Sequence, residues 1–195
     1  MLAITAKSPS LVRALRNRVL VRFTRPFEPG RVHGYVLGIG PKFFMVAVVD
    51  ESQRFDGFQC FRLSDVRNLK VPDPFAGFAE AALKKRGERL PRKPPIDLRT
   101  MPRLLQTANK AFPLVTIHRE AVDGDICHIG RLVHVDERYV WLLEIGPDAR
   151  WDKEPLRYRL NQITRVDFGG GYEEALHLVG GAPKRRRIAT QSPVL

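Results

Sequence analysis

Cysteine is nearly absent. Cys60 and Cys127 are the two in 195 residues, and neither belongs to a Cys-x-x-Cys pair, which excludes a disulfide framework and a zinc knuckle. Long apolar runs are missing too. Met1 to Lys7 form no h-region of the length a secretory signal needs, and Arg13, Arg16 and Arg18 interrupt the apolar residues that follow. Neither a signal peptide nor a membrane span is expected, and the default compartment is the cytoplasm. The phosphate-cradling patterns Gly-x-x-x-x-Gly-Lys-Ser/Thr and Gly-x-Gly-x-x-Gly do not occur, no Ser/His/Asp or Cys/His set emerges, and the RRM and helix-turn-helix signatures are absent. Acidic residues are scarce beside basic ones: 33 Lys and Arg against 21 Asp and Glu give a formal charge of +12. The stretch Met1 to Phe27 carries six basic residues (Lys7, Arg13, Arg16, Arg18, Arg22, Arg25) and no acidic one. Such a surface attracts polyanions: nucleic acid, an acidic membrane face or an acidic protein.

What is present is an internal echo. Gly34 and Gly130 lie 96 residues apart, as do Phe43 and Tyr139, and the triplets Arg54-Phe55-Asp56 and Arg150-Trp151-Asp152. After one inserted residue, Phe61-Arg62-Leu63 aligns with Tyr158-Arg159-Leu160, Val66 with Ile163 and Leu69 with Val166. Each copy opens with a helix pattern, Pro9 to Asn17 with Ser8 as N-cap and Pro102 to Lys110 after Thr100, with apolar residues on one face. Strands are expected over Val19–Thr24, Val32–Ile39, Phe43–Val49, Phe58–Leu63 and Val66–Val71, with Glu28-Pro29-Gly30 in a loop. Their twins are Leu114–Arg119, Ile126–Val135, Tyr139–Leu143, Leu156–Leu160 and Ile163–Asp167. Gly34 and Gly130 inside strands mark a bend or the close approach of another backbone. The runs Phe43–Val49 and Tyr139–Leu143 hardly alternate, which predicts burial on both faces, or one face in the core and the other at an interface. A helix closes each copy, Phe78–Leu83 and Tyr172–Leu176.

The expected fold class is therefore mainly β with flanking helices: two tandem five-stranded small barrels, each preceded and followed by a short helix. The first repeat spans 8–83, a basic, proline-rich linker 84–97, the second repeat 98–180 and a basic tail 181–195.

The charges that could meet nucleic acid are Arg13, Arg16 and Arg18, the linker residues Lys84, Lys85, Arg86, Arg92 and Lys93, and the tail residues Lys184, Arg185, Arg186 and Arg187. Lysine and arginine release counterions from phosphates and so supply affinity without sequence preference. Phe55 and Trp151 are the candidate base-stacking rings. The recurring residues Arg54, Asp56, Arg62, Arg150, Trp151, Asp152 and Arg159 read as loop salt bridges around an aromatic anchor, or as a ligand site. Among the histidines, His128 and His134 share strand parity and sit near Cys127, but half-exposed strand histidines are the preferred reading over a metal site. Gly169-Gly170-Gly171 reads as a flexible turn, because Glu173 and Glu174 would repel phosphate from the helix that follows. No catalytic residue, cofactor or metal is expected.

The order of a helix followed by five short, strongly bent strands resembles the Sm-like and SH3-like small barrels. That resemblance covers the layout of each repeat and implies strand-edge self-association and RNA binding. The family's Asp-x-x-hydrophobic-Asn segment and its Arg-Gly or Lys-Gly pair have no match; Asp50-Glu51 and Asp56-Gly57 come nearest without fitting, so no binding residue carries over. The phrase Asn161 to Phe168, followed by Tyr172-Glu173-Glu174-Ala175-Leu176, also resembles uncharacterised bacterial proteins of this shape. The leading expectation is a non-enzymatic cytoplasmic protein that binds nucleic acid, RNA before DNA, through its basic termini and linker. The rival is an adaptor or immunity-type inhibitor of an acidic protein. An enzyme with a cleft lined by Asp152, Arg159 and His128 is a third reading.

Overall fold

The computed structural model describes residues 8–183. Helix α1 (Ser8–Asn17) leads into strands β1 (Leu20–Arg25), β2 (Glu28–Ile39), β3 (Phe43–Val49), β4 (Phe55–Arg62) and β5 (Arg67–Lys70), then helix α2 (Ala76–Lys85). After an irregular segment come α3 (Met101–Ala111), β6 (Val115–His118), β7 (Cys127–Val135), β8 (Tyr139–Glu144), β9 (Leu156–Arg159), β10 (Arg165–Phe168) and α4 (Gly171–Gly180). The described residues are mainly β with four helices. One expected loop is strand instead: β2 starts at Glu28, and the turn before it takes only Pro26 and Phe27.

All ten strands join one antiparallel sheet in the order β5-β1-β2-β3-β4-β10-β6-β7-β8-β9. It does not close, so the expectation of two separate five-stranded barrels gives way to a continuous open sheet. The physical reason is the seam: Phe58, Gln59, Cys60 and Phe61 of β4 pair with Phe168, Asp167, Val166 and Arg165 of β10. The two runs of five strands nevertheless follow the same order, and their registers correspond. Gly34 faces Val48 as Gly130 faces Glu144, and Phe43 faces Arg62 as Tyr139 faces Arg159.

Side chains alternate across a sheet, and at the seam that alternation moves the core from one face to the other. In the first run Leu11 and Ala14 of α1 cover Phe23, Phe44, Phe61 and Val66. Phe23, Phe44 and Phe61 meet with centroids 5.2–5.7 Å apart. The register places Cys60, on the opposite face from Phe61, beside Val166 and hence Ile117. In the second run Leu104, Leu105 and Ala108 of α3 cover Ile117, Leu142, Tyr158 and Val166, and Phe43, Met45 and Cys60 of the first run belong to this cluster. Phe58, Phe112 and Phe168 close the seam with centroids 4.9–5.9 Å apart. The halves share a core, which offsets the marginal burial either would reach alone.

Gly34 and Gly130 do what isolated strand glycines are expected to do. A Cβ on Gly34 would lie 2.3 Å from the Ala47 carbonyl oxygen, and one on Gly130 2.1 Å from that of Leu143. The linker is extended but anchored. Ile96 and Leu98 are buried, Asp97 N–H donates to Thr107 Oγ1 at 3.0 Å, and Leu98 runs so close to Gly40 that a Cβ there would meet its carbonyl oxygen at 2.2 Å.

Candidate nucleic-acid interface

The sheet ends in β7, β8 and β9; at one end of their outward face Leu176 of α4 clusters with Ile129 and Ile145, while Arg131, His134, Tyr139, Trp141, Arg157 and Arg159 further along belong to no core cluster. Register puts Arg131 beside Leu143, His134 beside Trp141 beside Arg157, and Tyr139 beside Arg159. These side chains share one face, since the core cluster takes Val140, Leu142 and Tyr158 from the other. Tyr139 and Trp141 are half-exposed, while Arg131, His134, Arg157 and Arg159 are exposed. The rings of Tyr139 and Trp141 are 6.1 Å apart, His134 lies 5.0 Å from Trp141, and the Arg157 and Arg159 guanidiniums stand 4.5 and 5.9 Å from the Tyr139 centroid. Two half-exposed rings and three exposed arginines share this face, a platform able to stack planar groups and to meet anions. The β7–β8 turn carries two carboxylates, the exposed Glu137 and the committed Asp136. Asp136 Oδ1 accepts from the N–H groups of Arg138 and Tyr139 at 2.7 and 2.6 Å, and these bonds hold its carboxyl below the ordinary range.

A bulge between Leu132 and His134 brings His134 to this face. His128 points to the other, where its Nδ1 lies 3.0 Å from the Tyr158 hydroxyl and 3.3 Å from Glu144 Oε2. The two histidines therefore do not converge, and among the described residues no group of three His, Cys, Asp or Glu could hold a metal. Burial and the Glu144 carboxylate push the Tyr158 hydroxyl up. Burial also works to raise Glu144, but the hydrogen bonds from His128 and Tyr158 outweigh it and hold that carboxyl below its usual value. The tyrosine thus keeps its proton and the glutamate its charge, the ordinary states of a structural pair rather than groups tuned toward neutral pH. Burial and the Asp167 charge likewise push the Cys127 thiol up, away from the reactive thiolate.

The recurring Arg-aromatic-Asp triplets occupy unlike settings. Arg54 pairs with Glu88 at 3.3 Å, and Asp56 accepts the Gly171 N–H at 2.8 Å, across the seam at the start of α4. Arg150 stays exposed near Asp148 at 3.6 Å, and Asp152 is exposed. The expected stacking rings are tied down. Phe55 packs 6.0 Å from Tyr35, and Trp151 Nε1 donates to the carbonyls of Gly180 and Gly181 at 3.3 and 3.2 Å. Arg62 donates to the Asn161 carbonyl at 2.6 Å, whereas Arg159 lies on the open platform. The structure does not gather Asp152, Arg159 and His128: Tyr158, which bonds His128, and Arg159 point to opposite faces. Arg13, Arg16 and Arg18 are exposed, with Arg13 donating to Val71 O at 3.1 Å, and Lys84, Lys85, Arg86, Arg92 and Lys93 are exposed as well. Lys184, Arg185, Arg186 and Arg187 lie outside the described residues.

Sequence reasoning missed Tyr139, Trp141, Arg157 and His134 as one surface. The available signal was the alternation of Tyr139, Trp141 and Leu143 with Val140 and Leu142, matched by Arg157 and Arg159 around Tyr158. Arg22 and Arg25, two of the six basic residues between Met1 and Phe27, are spent internally. Arg25 is fully buried against Glu120 and Glu28, and Arg22 faces Asp73 at 3.8 Å. No family model matches the chain, and neither a curated protein nor a solved structure matches it. Among the described residues no helix is long and apolar enough to cross a membrane.

Proposed function

We propose that the protein is a non-enzymatic, cytoplasmic binder of single-stranded nucleic acid, RNA before DNA, built from a duplicated Sm-like or SH3-like five-stranded unit. The observation that carries the reading is the platform: Tyr139 and Trp141 on one open sheet face, with Arg157 at 4.5 Å from the tyrosine ring and His134 at 5.0 Å from the tryptophan. Unpaired bases present π-faces that such rings accept, and single-stranded loops are where proteins most often read RNA. The charge of +12 and the exposed linker arginines and lysines add affinity for the backbone. The matching strand order and register of the two runs support the duplication. Two free thiols, Cys60 and Cys127, suit a reducing compartment.

Fluorescence anisotropy with a labelled 12-nucleotide RNA, its DNA analogue and a DNA duplex tests the reading. Affinity should be highest for the single-stranded RNA and fall steadily with salt. Stacking is worth about 1–3 kcal/mol per base, so Trp141→Ala and Tyr139→Ala should each weaken binding roughly five- to hundredfold. Arg157→Gln should reduce the salt slope by about 0.7. Affinity that ignores ionic strength, or survives loss of both rings, would sink the proposal.

A further inference from the structure

The described residues end beside an acidic hollow, and the sequence continues into the basic run Lys184-Arg185-Arg186-Arg187. Between α4, the start of β7 and the loop after β8 is a 330 Å³ groove with Ile126, Ile129, Ile145, Tyr172 and Leu176 among its walls. A second cavity of 200 Å³ shares Cys127, Ile129 and Tyr172 with it and reaches Phe58 and Phe168. The floor is apolar and partly open: Ile126 and Tyr172 are each 56% exposed. The rim is one-signed. Asp125, Glu144 and Asp152 line the groove, Asp56, Asp167 and Glu173 line its neighbour, and no lysine or arginine lines either. Asp167 already faces Arg165 at 3.1 Å and His118 at 3.0 Å, and Glu144 faces His128 at 3.3 Å; the charges left over are Asp56, held by an amide N–H, Glu173, held by the Thr116 hydroxyl at 2.6 Å, and the exposed Asp125 and Asp152. In a chain of charge +12, such a concentration of carboxylates around apolar walls calls for a cationic segment with an apolar part.

We propose that residues 184–195 of the chain dock in this groove, on the molecule that carries them. The composition complements it: Lys184-Arg185-Arg186-Arg187 puts four cations against the rim, and Ile188-Ala189 follows for the floor. The distance is short. Gly180 abuts the groove residue Ile145, with a Cβ there meeting Ile145 Cδ1 at 2.6 Å, and Trp151 Nε1 pins the carbonyls of Gly180 and Gly181. From Gly181 to Lys184 the chain spans at most roughly 10 Å. The other basic stretches are held elsewhere: Arg13 bonds the Val71 carbonyl, and Ile96 and Leu98 bury the linker's end in the shared core. A tethered segment so close acts at an effective concentration on the order of millimolar. Against that, a contact of about 0.1 mM intrinsic affinity is about nine-tenths formed.

A fluorescent peptide of residues 184–195 tests this by anisotropy on two full-length chains, the natural one and one with Lys184, Arg185, Arg186 and Arg187 all changed to Gln. The peptide should bind the glutamine variant saturably and the natural chain about tenfold more weakly, because there the site is already filled. Adding Asp125→Asn and Asp152→Asn to the glutamine variant should cost about tenfold more. Equal binding to both chains, absence of saturable binding to the variant, or equal binding of a scrambled peptide of the same charge would each overturn the proposal. So would a concentration-dependent dimer of the natural chain that the glutamine variant does not form, since the segment would then occupy a second copy.

Discussion

One buried ion pair ties the end of β1 in the first run to the residues after β6 in the second. Arg25 has no exposed side-chain surface, and Glu120 keeps only 6% of its own. The Arg25 guanidinium reaches Glu28 at 3.1 Å, pairs with Glu120, and stands 4.9 Å from the Phe61 centroid. Arg25→Met strands the Glu120 carboxylate, and breaking a buried pair from one side costs about 3–5 kcal/mol. Glu120 keeps the Thr164 hydroxyl at 2.6 Å and Arg165 at 3.6 Å, which places the expected loss at the low end, about 3 kcal/mol. With an m-value of about 2 kcal/mol/M, the urea midpoint followed by circular dichroism should fall by roughly 1.5 M. The double change Arg25→Met, Glu120→Leu removes both charges and should recover most of that loss. The same site predicts a pH dependence. Burial alone would raise the Glu120 carboxyl, but hydrogen bonds from Arg25 and Thr164 and the charges of Arg25 and Arg165 outweigh it and hold the folded value below normal. A depressed carboxyl stabilises fully above the unfolded value of about 4.3 and loses that contribution as pH falls through the folded value. The stability gap between the natural chain and Glu120→Gln should therefore be constant from pH 7 to pH 5 and close under stronger acid. A gap unchanged at low pH, or a double variant as weak as Arg25→Met, would refute the reasoning.

Gly130→Ala forces a methyl against the Leu143 carbonyl, which is backbone and cannot swing aside, and should cost about 1–3 kcal/mol, read as a drop of several degrees in thermal unfolding. Gly30→Ala, with nothing within 4 Å of the new methyl, is the matched control and should stay within about 0.5 kcal/mol. Leu104→Ala empties a fully buried site in the core that both halves share, and should cost about 2–5 kcal/mol in one transition that moves both halves together; separate transitions would contradict a common core.

Much of the local structure was legible. Pro102 after Thr100 places α3, whose cap is the Thr100 side chain accepting from the Arg103 N–H at 3.4 Å. Gly34 and Gly130 announced close backbone approach because only glycine leaves that space. The seam was not legible, because strand alternation says which residues share a face and nothing about which edges will meet. Met45, in the apolar run Phe43–Val49, and Cys60 on the neighbouring strand serve the second run's core, not the first's. The candidate site was hidden for a related reason. Tyr139 and Trp141 look like core residues when counted as apolar, and only the register that lays Arg157 and Arg159 beside them reveals an open face. Trp151 looked free because it stands in a polar loop, but its indole is held by the end of α4.

Corresponding positions in the two runs carry different chemistry, and the difference follows from what covers them. Phe43, Met45 and Cys60 stand where Tyr139, Trp141 and Arg157 stand in the second run, each pair at the same register. The first set is covered through the seam and is apolar. The second lies at the open end of the sheet. If another chain added its β5 edge to β9 and repeated the seam, it would cover Arg157 and leave it without a carboxylate partner, at several kcal/mol. That cost disfavours open-ended growth from β9. Sedimentation velocity across a hundredfold range of concentration should show no ladder of growing species from β9-to-β5 addition. Adding a single-stranded oligonucleotide should produce a defined complex without starting one. A ladder of ever larger species formed by the chain alone would mean that the arginines at the sheet's end are covered after all, and that the platform is an assembly surface.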